Sequence, residues 1–351
     1  MIDVTAAILY LNAGGCLGLH VEIPSLALTF LCEAGYHRND MAEAEGAKQA
    51  RTWLAVKAIL ISVRPHQWTK NLIIYFAFFF TVDQAWRLAE MGDVTRLFMR
   101  TTGAFAVFCL ATSCIYLFND VLDAERDRQH PKKRHRPIAS GMLSPVVALA
   151  SALSMATSGI YLALILEPLY ALIVLIYLGL MVGYSVYLKR LIIVDVIVIS
   201  AGFVMRAVAG AVVMDVTISP WLYICTSLGA LFLGFTKRLN ELVLSEGTGH
   251  LQRQTLEEYS PRLLEQLISI VAPATLVSYI LYTFTADNLP ANNAMMLTIP
   301  FVMYGLFRYL YLVHHKNLGE NPEQILLRDI PLILNIVLWL TTASSVLVLY
   351  R

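Results

Sequence analysis

The chain has 351 residues, of which 58% are hydrophobic and only 15% charged. Together with a mean hydropathy of +0.63, this excludes an ordinary soluble domain and predicts an all-α integral membrane protein whose partner is the lipid bilayer. The net charge of +1 says little by itself, because here the placement of charges carries the information; no nucleic-acid partner is expected.

Residues 1–50 differ from the rest and are expected to be an N-terminal extension. The apolar stretch 4–32 is interrupted by Asn12, His20, Glu22 and Pro24, a poor membrane span, and lacks the basic lead of a signal peptide. Met41 opens a polar run, Ala-Glu-Ala-Glu-Gly-Ala-Lys, that reads as an alternative start. The membrane domain is then 51–351. Trp53 to Val63 is expected to lie at the interface, and a first, weak span over about 71–89 is limited by Asp83 and Arg87. Clearer spans follow at about 97–118, 143–165, 169–188, 194–214, 220–236, 264–285, 294–313 and 330–349, giving nine. The five cysteines fall mostly in apolar runs without metal-like spacing and read as packing residues.

Basic residues choose the orientation. With a cytoplasmic start, the inside segments 38–70, 119–142, 189–193, 237–263 and 314–329 hold nearly all the Lys and Arg, while the outside segments hold little beyond Arg87, Arg96 and Arg351. Every long or polar segment is then cytoplasmic. Chemistry is expected at the cytoplasmic mouth of the bundle, in a plasma (inner) membrane.

Four polar groupings meet that mouth. The foremost is Asn119-Asp120-Val121-Leu122-Asp123-Ala124-Glu125-Arg126-Asp127, followed by a basic tail that includes Arg134 and Arg136. Carboxylates three and four residues apart stack on one face of a helix. Such a face is repulsive without a cation and suits Mg²⁺, which takes a few carboxylates plus water and phosphate oxygens; the plain alternative is a solvated, charge-rich loop. The second grouping, Arg64 to Asn71 with Gln67 and Lys70, reads equally as an interfacial anchor or as a site. The third is Tyr184 to Arg190 with Lys189, followed by Asp195 at a helix entry. The fourth is Lys237-Arg238-Leu239-Asn240-Glu241. Arg206 lies deep in a span, where a guanidinium is costly unless it faces a cavity or a partner. Asp195 falls on nearly the same helix face, so a structural ion pair is one reading and function the other. Carboxylates and many cations around one opening suit a substrate with a phosphorylated head and a hydrocarbon tail, the tail in the apolar bundle.

Asn119-Asp120-x-x-Asp123-x-x-x-Asp127, followed by Arg-Pro-Ile-Ala-Ser-Gly (136–141), resembles the UbiA-type membrane prenyltransferase superfamily, from about Arg64 to the C-terminus. The resemblance implies a nine-helix bundle in which Asp120, Asp123 and Asp127 bind Mg²⁺ and through it a diphosphate. Aromatic prenyltransferases of that superfamily carry a second aspartate motif after the sixth span; this chain has Lys237-Arg238-Leu239-Asn240-Glu241 there. Together with Arg64–Asn71, Tyr184–Arg190 and Gly202–Arg206, this is similar to the decaprenyl-phosphate phosphoribosyltransferase subgroup. That similarity implies transfer of a phosphoribosyl group from phosphoribosyl diphosphate to a polyprenyl phosphate on the way to cell-wall arabinose donors. Substrate contacts are expected from Arg64, Gln67, Lys70, Asn71, Asn119, Arg134, Arg136, Tyr184, Lys189, Arg190, Asp195, Arg206, Lys237, Arg238 and Glu241. Two rivals are an aromatic prenyltransferase on the same fold and an anion transporter; a homo-oligomer stays open.

Overall fold

The computed structural model describes residues 49, 52–87, 89–217, 219–248, 254–287, 289–316, 325 and 328–350. The extension expected over 1–50 lies, apart from Gln49, outside the described residues. The chain divides into two compact units, Met1–Val56 and Lys57–Arg351; the second holds every helix after α1 (Thr52–Ser62).

The first span, expected over about 71–89, is not one α-helix: its start belongs to a ten-residue 3₁₀ helix, Pro65–Ile74, which passes into a short α2, Tyr75–Phe80, and residues 81–86 are turns and an isolated bridge. Runs of 3₁₀ beyond three or four residues are uncommon and mark a functional or strained stretch. Arg64, before Pro65, caps it in the left-handed region with φ 53°, where a non-glycine residue is disfavoured.

The remaining helices are α3 (Met91–Leu122), α4 (Ala124–Gln129), α5 (Pro145–Leu166), α6 (Pro168–Val186), α7 (Val194–Met214), α8 (Pro220–Thr248), α9 (Pro261–Thr285), α10 (Ile299–Lys316) and α11 (Ile330–Leu349). Prolines open several of them, where the missing N–H costs nothing. Ser144, Ser260 and Asp329 cap α5, α9 and α11 by accepting from the N–H of Val147, Leu263 and Leu332. Glu167 alone joins α5 to α6, a short helical hairpin.

Among the described residues, seven helical segments are long and apolar enough to cross a membrane: α3, α5, α6, α7, α9, Ala294–His314 and α11. Side chains of α3, α6 and α7 build one core around Phe108, Tyr170, Val174 and Val213, and α8–α11 build another around Phe232, Leu264, Leu312 and Leu332. Helix α7 serves both, contributing Ala209 and Val213 to the first and Val196 to the second. Its Gly210 lies so close to the Ile74 carbonyl that any Cβ would collide with backbone, and this contact seats the 3₁₀ segment on α7.

Candidate active site

Where α3 and α6 end and α7 begins, a cavity of about 180 Å³ is bounded by residues of five separate stretches. Arg64 comes from the cap of the 3₁₀ segment, Asn119 and Asp120 from the last turn of α3, and Asp127 from α4. Asp123 is at the break between α3 and α4, with φ −95° and ψ 3°. The three carboxylates are therefore not one unbroken helical stack. The backbone still keeps i→i−4 bonds, Asp123 N–H to the Asn119 carbonyl at 2.9 Å and Asp127 N–H to the Asp123 carbonyl at 2.8 Å.

The break separates their roles. Asp120, 3% exposed at the side chain, receives a charge-assisted bond from Arg64 and a longer one from Arg136 Nη1 at 3.2 Å. The same Arg136 nitrogen reaches Asp127 Oδ2 at 2.6 Å, so one guanidinium bridges the two buried carboxylates. Asp123, on the wall of the same cavity, accepts instead from Lys189 Nζ at 3.0 Å. Arg64 also lies over the Tyr116 ring, 5.2 Å from its centroid. Tyr184, Lys189 and Arg190 close the far wall.

Three further residues line the cavity: Arg126, Lys133 and Thr255. Arg126 and Lys133 sit inside or beside the acidic motif; Thr255 comes from the α8–α9 connection, where no motif marks it. The wall thus carries six cations (Arg64, Arg126, Lys133, Arg136, Lys189, Arg190) against three carboxylates, a balance that suits a multiply charged anion.

Other expected contacts do not line this cavity. Asn71 and Arg206 meet inside the bundle: Arg206 Nε donates to Asn71 Oδ1 at 2.7 Å, and its other nitrogens donate to the Gly202 carbonyl and the Tyr177 hydroxyl at 2.7 and 2.9 Å. The guanidinium also lies 4.9 Å from the Tyr177 ring centroid. Arg206 therefore does not pair with Asp195, and neutral dipoles and aromatic faces compensate its burial. Asp195 accepts instead from Arg238 Nε at 2.7 Å, and Arg238 also binds Glu241. All three are buried, an internal charge cluster beside the site and not on its wall. Gln67, Lys70 and Lys237 are half-buried off the wall, and Arg134 is exposed.

The basic loop is shaped by His130, whose Nδ1 accepts the N–H groups of Lys132 and Lys133 at 3.2 and 3.3 Å. Burial, and then the Lys133 ammonium, hold this imidazole below its usual range, with Arg136 and Lys132 acting the same way and Asp127 opposing. The folded protein thus favours the neutral ring. The loop's stability from this group is present above about pH 6.5 and is lost as pH falls through the lowered pKa. Protonation at Nδ1 removes the acceptor that holds Lys133. We expect an acid limb in the activity profile that is displaced to lower pH in His130→Asn, which accepts the same bonds without titrating; coincident profiles would show that the ring is not the titrating group.

The donor set fits Mg²⁺ in chemistry: hard carboxylate oxygens at the wall of an anion-binding cavity. Among the described residues no three His, Cys, Asp or Glu side chains are grouped so that they could hold a metal ion by themselves: the three carboxylates are paired with Arg64, Arg136 and Lys189, and water and phosphate oxygens would have to complete the shell. Two larger, mainly apolar cavities of about 560 and 370 Å³ lie elsewhere in the bundle and share Phe76, Cys225, Thr226, Val302 and Trp339.

Comparison with known proteins gives a consistent result. The decaprenyl-phosphate phosphoribosyltransferase of Mycobacterium tuberculosis is 34% identical over 295 residues, 83% of this chain and 94% of that protein. The protein of the same description from Corynebacterium glutamicum is 33% identical, over 76% of this chain and 80% of that one. A UbiA homologue from Archaeoglobus fulgidus, solved with DMAPP and Mg²⁺, superimposes with a TM-score of 0.63 over 83% of this chain and 99% of its own, at 16% identity, a likeness of fold. A family model, the UbiA prenyltransferase family, matches residues 76–323. With helices, acidic turn and relatives in agreement, the chain belongs to the UbiA prenyltransferase family.

Proposed function

We propose that this multi-pass membrane protein transfers the 5-phosphoribosyl group of phosphoribosyl diphosphate to a polyprenyl phosphate, releasing diphosphate. The observation that carries this is the one-sided wall: three carboxylates within a ring of six cations. The end of α8, where a second acidic wall would stand, holds its Glu241 against Arg238. Relatives described as decaprenyl-phosphate phosphoribosyltransferases support the same reading.

The bond that breaks joins ribose C1 to the diphosphate oxygen, which leaves with the electron pair. The bond that forms joins C1 to an oxygen of the lipid phosphate. That oxygen is already ionised, so no general base is required. Asp120, Asp123 and Asp127 would hold Mg²⁺, which when bound neutralises charge developing on the leaving diphosphate. Arg64 and Arg136 lie on these carboxylates and supply fixed positive charge beside the leaving group. Lys189, Arg190, Arg126 and Lys133 hold the remaining phosphate oxygens, and catalysis is positioning plus electrostatics. The lipid tail belongs in the apolar cavities.

We further place nine crossings in the membrane, adding Pro65–Phe80 and α8 to the seven apolar segments, with the catalytic body in 51–351. We infer a cytoplasmic mouth, which the clustering of Lys and Arg at the site end supports, and a plasma-membrane location. The product then serves cell-wall arabinan precursor synthesis.

Purified protein given polyprenyl phosphate, labelled phosphoribosyl diphosphate and Mg²⁺ is expected to form a labelled lipid, and a chelator to stop it. No labelled lipid, together with transfer from a prenyl diphosphate to an aromatic acid, rejects the proposal.

A further inference from the structure

Behind the cavity wall, the start of α7 is held in an unusual way. Ile193 has φ 67° and ψ −46°, a region that β-branched residues avoid. The Val194 N–H donates back to the Ile192 carbonyl at 2.7 Å, closing a γ-turn of the rarer, strained hand. Such a turn persists only when its surroundings hold it. The Ile193 N–H donates to the Tyr259 hydroxyl at 2.7 Å, and that hydroxyl donates to Asp195 Oδ1 at 2.8 Å. Burial first, and then the Asp195 carboxylate, raise the Tyr259 phenol above its usual range, so the group remains a donor at any working pH. Its ring packs in the α8–α11 core, while its hydroxyl reaches across to α7.

Three residues before the strained position is the 3₁₀ turn Leu188–Arg190, which carries Lys189 and Arg190 into the cavity. Thr255, four residues before Tyr259 in the same connection, donates to the Lys189 carbonyl at 3.5 Å. Lys189 in turn reaches Asp123 at 3.0 Å.

We propose that Tyr259 is a positioning residue: its hydroxyl locks the Ile193 turn and thereby sets where Lys189 and Arg190 stand against the aspartates. Tyr259 touches no substrate. Its action is on diphosphate affinity through the two cations, and the identity of the transferred group rests on the phosphoribosyl-transfer proposal.

The test separates the two. Inorganic diphosphate with Mg²⁺ is titrated calorimetrically against the full-length protein in detergent. Tyr259→Phe keeps the ring and removes the hydroxyl. Its diphosphate affinity is expected to fall about tenfold, as for other groups that orient a ligating shell. In turnover, KM for phosphoribosyl diphosphate rises similarly while KM for polyprenyl phosphate is unchanged. In a Lys189→Ala background the same change adds less than about twofold, because coupled residues are not additive. A purely structural role would lower thermal stability and the bound stoichiometry but leave the affinity of the folded fraction intact; that result overturns the inference. Thr255→Val, which keeps the side chain's shape on the cavity wall and removes the bond to the Lys189 carbonyl, is expected to weaken binding in the same direction, and decides the matter if Tyr259→Phe does not accumulate, unchanged affinity then counting against it. Wild-type protein that binds diphosphate but labels no lipid rejects the transfer reading alone, and wild-type protein that binds no diphosphate rejects both.

Discussion

Asp123→Ala is expected to abolish transfer while leaving the bundle folded. Asp123 is 30% exposed and its partner Lys189 is 19% exposed, so the pair is partly screened and its loss costs little stability. Chemistry is affected far more, because a carboxylate positioned for metal and diphosphate is lost at the reacting centre. A decrease of at least about 10²–10³-fold is expected from removal of one electrostatic element of this kind. Asp120→Ala is expected to be as inactive, but less innocent structurally, since it leaves Arg64 and Arg136 close together without the carboxylate between them. Asp120→Asn keeps the shape and is the better control. Initial rates alongside thermal unfolding check both. A stable Asp123→Ala protein turning over at the wild-type rate would remove the acidic turn from the mechanism.

The largest stability effect is expected at Arg238. Its side chain is 2% exposed, and it neutralises Asp195 at 0% and Glu241 at 7%. Arg238→Ala removes the guanidinium that both buried carboxylates bind, and removal of one partner from a buried charge cluster costs about 3–5 kcal/mol. The variant should unfold at a much lower temperature in detergent or fail to accumulate. Neutralising the whole cluster, as Arg238→Met with Asp195→Asn and Glu241→Gln, is expected to recover much of the loss, because desolvated charge is then absent. A single Arg238→Ala variant melting with the wild type would mean that water reaches these groups.

How much of this is legible in the residues differs from place to place. The acidic turn is readable from spacing alone, because Asp120, Asp123 and Asp127 recur at helical intervals beside a basic tail. Its internal break is not, since Asp123 leaves the helix over one residue with no glycine or proline to announce it. Arg206 announces itself by depth in a span. Its partners do not: Asn71 is 135 residues away and Tyr177 is 29 away, and helical periodicity carries no information about contacts between helices. The same limit explains why Asp195, which shares a helix face with Arg206, pairs with Arg238 on α8. Thr255 and Tyr259 lie in a connection whose composition resembles any polar loop, and only the folded chain brings them to Lys189 and Ile193. The expected first span is visible as an apolar run, but its 3₁₀ winding depends on seating against Gly210 and lies beyond a hydropathy pattern.

That winding has a consequence for how few residues are needed to reach across a bilayer. A 3₁₀ helix rises about 2.0 Å per residue against about 1.5 Å for an α-helix. The ten residues Pro65–Ile74 therefore climb about 20 Å, some 5 Å further than α-helical winding would carry them. Laid end to end with the six residues of α2, the two rises come to about 29 Å, close to the roughly 30 Å hydrocarbon thickness. In the proposed nine-crossing arrangement, stretching the backbone would let this sixteen-residue piece do the work of a helix several residues longer. The left-handed cap at Arg64 then delivers its guanidinium to the acidic turn at the end of a strut whose length is set by winding, not by residue count.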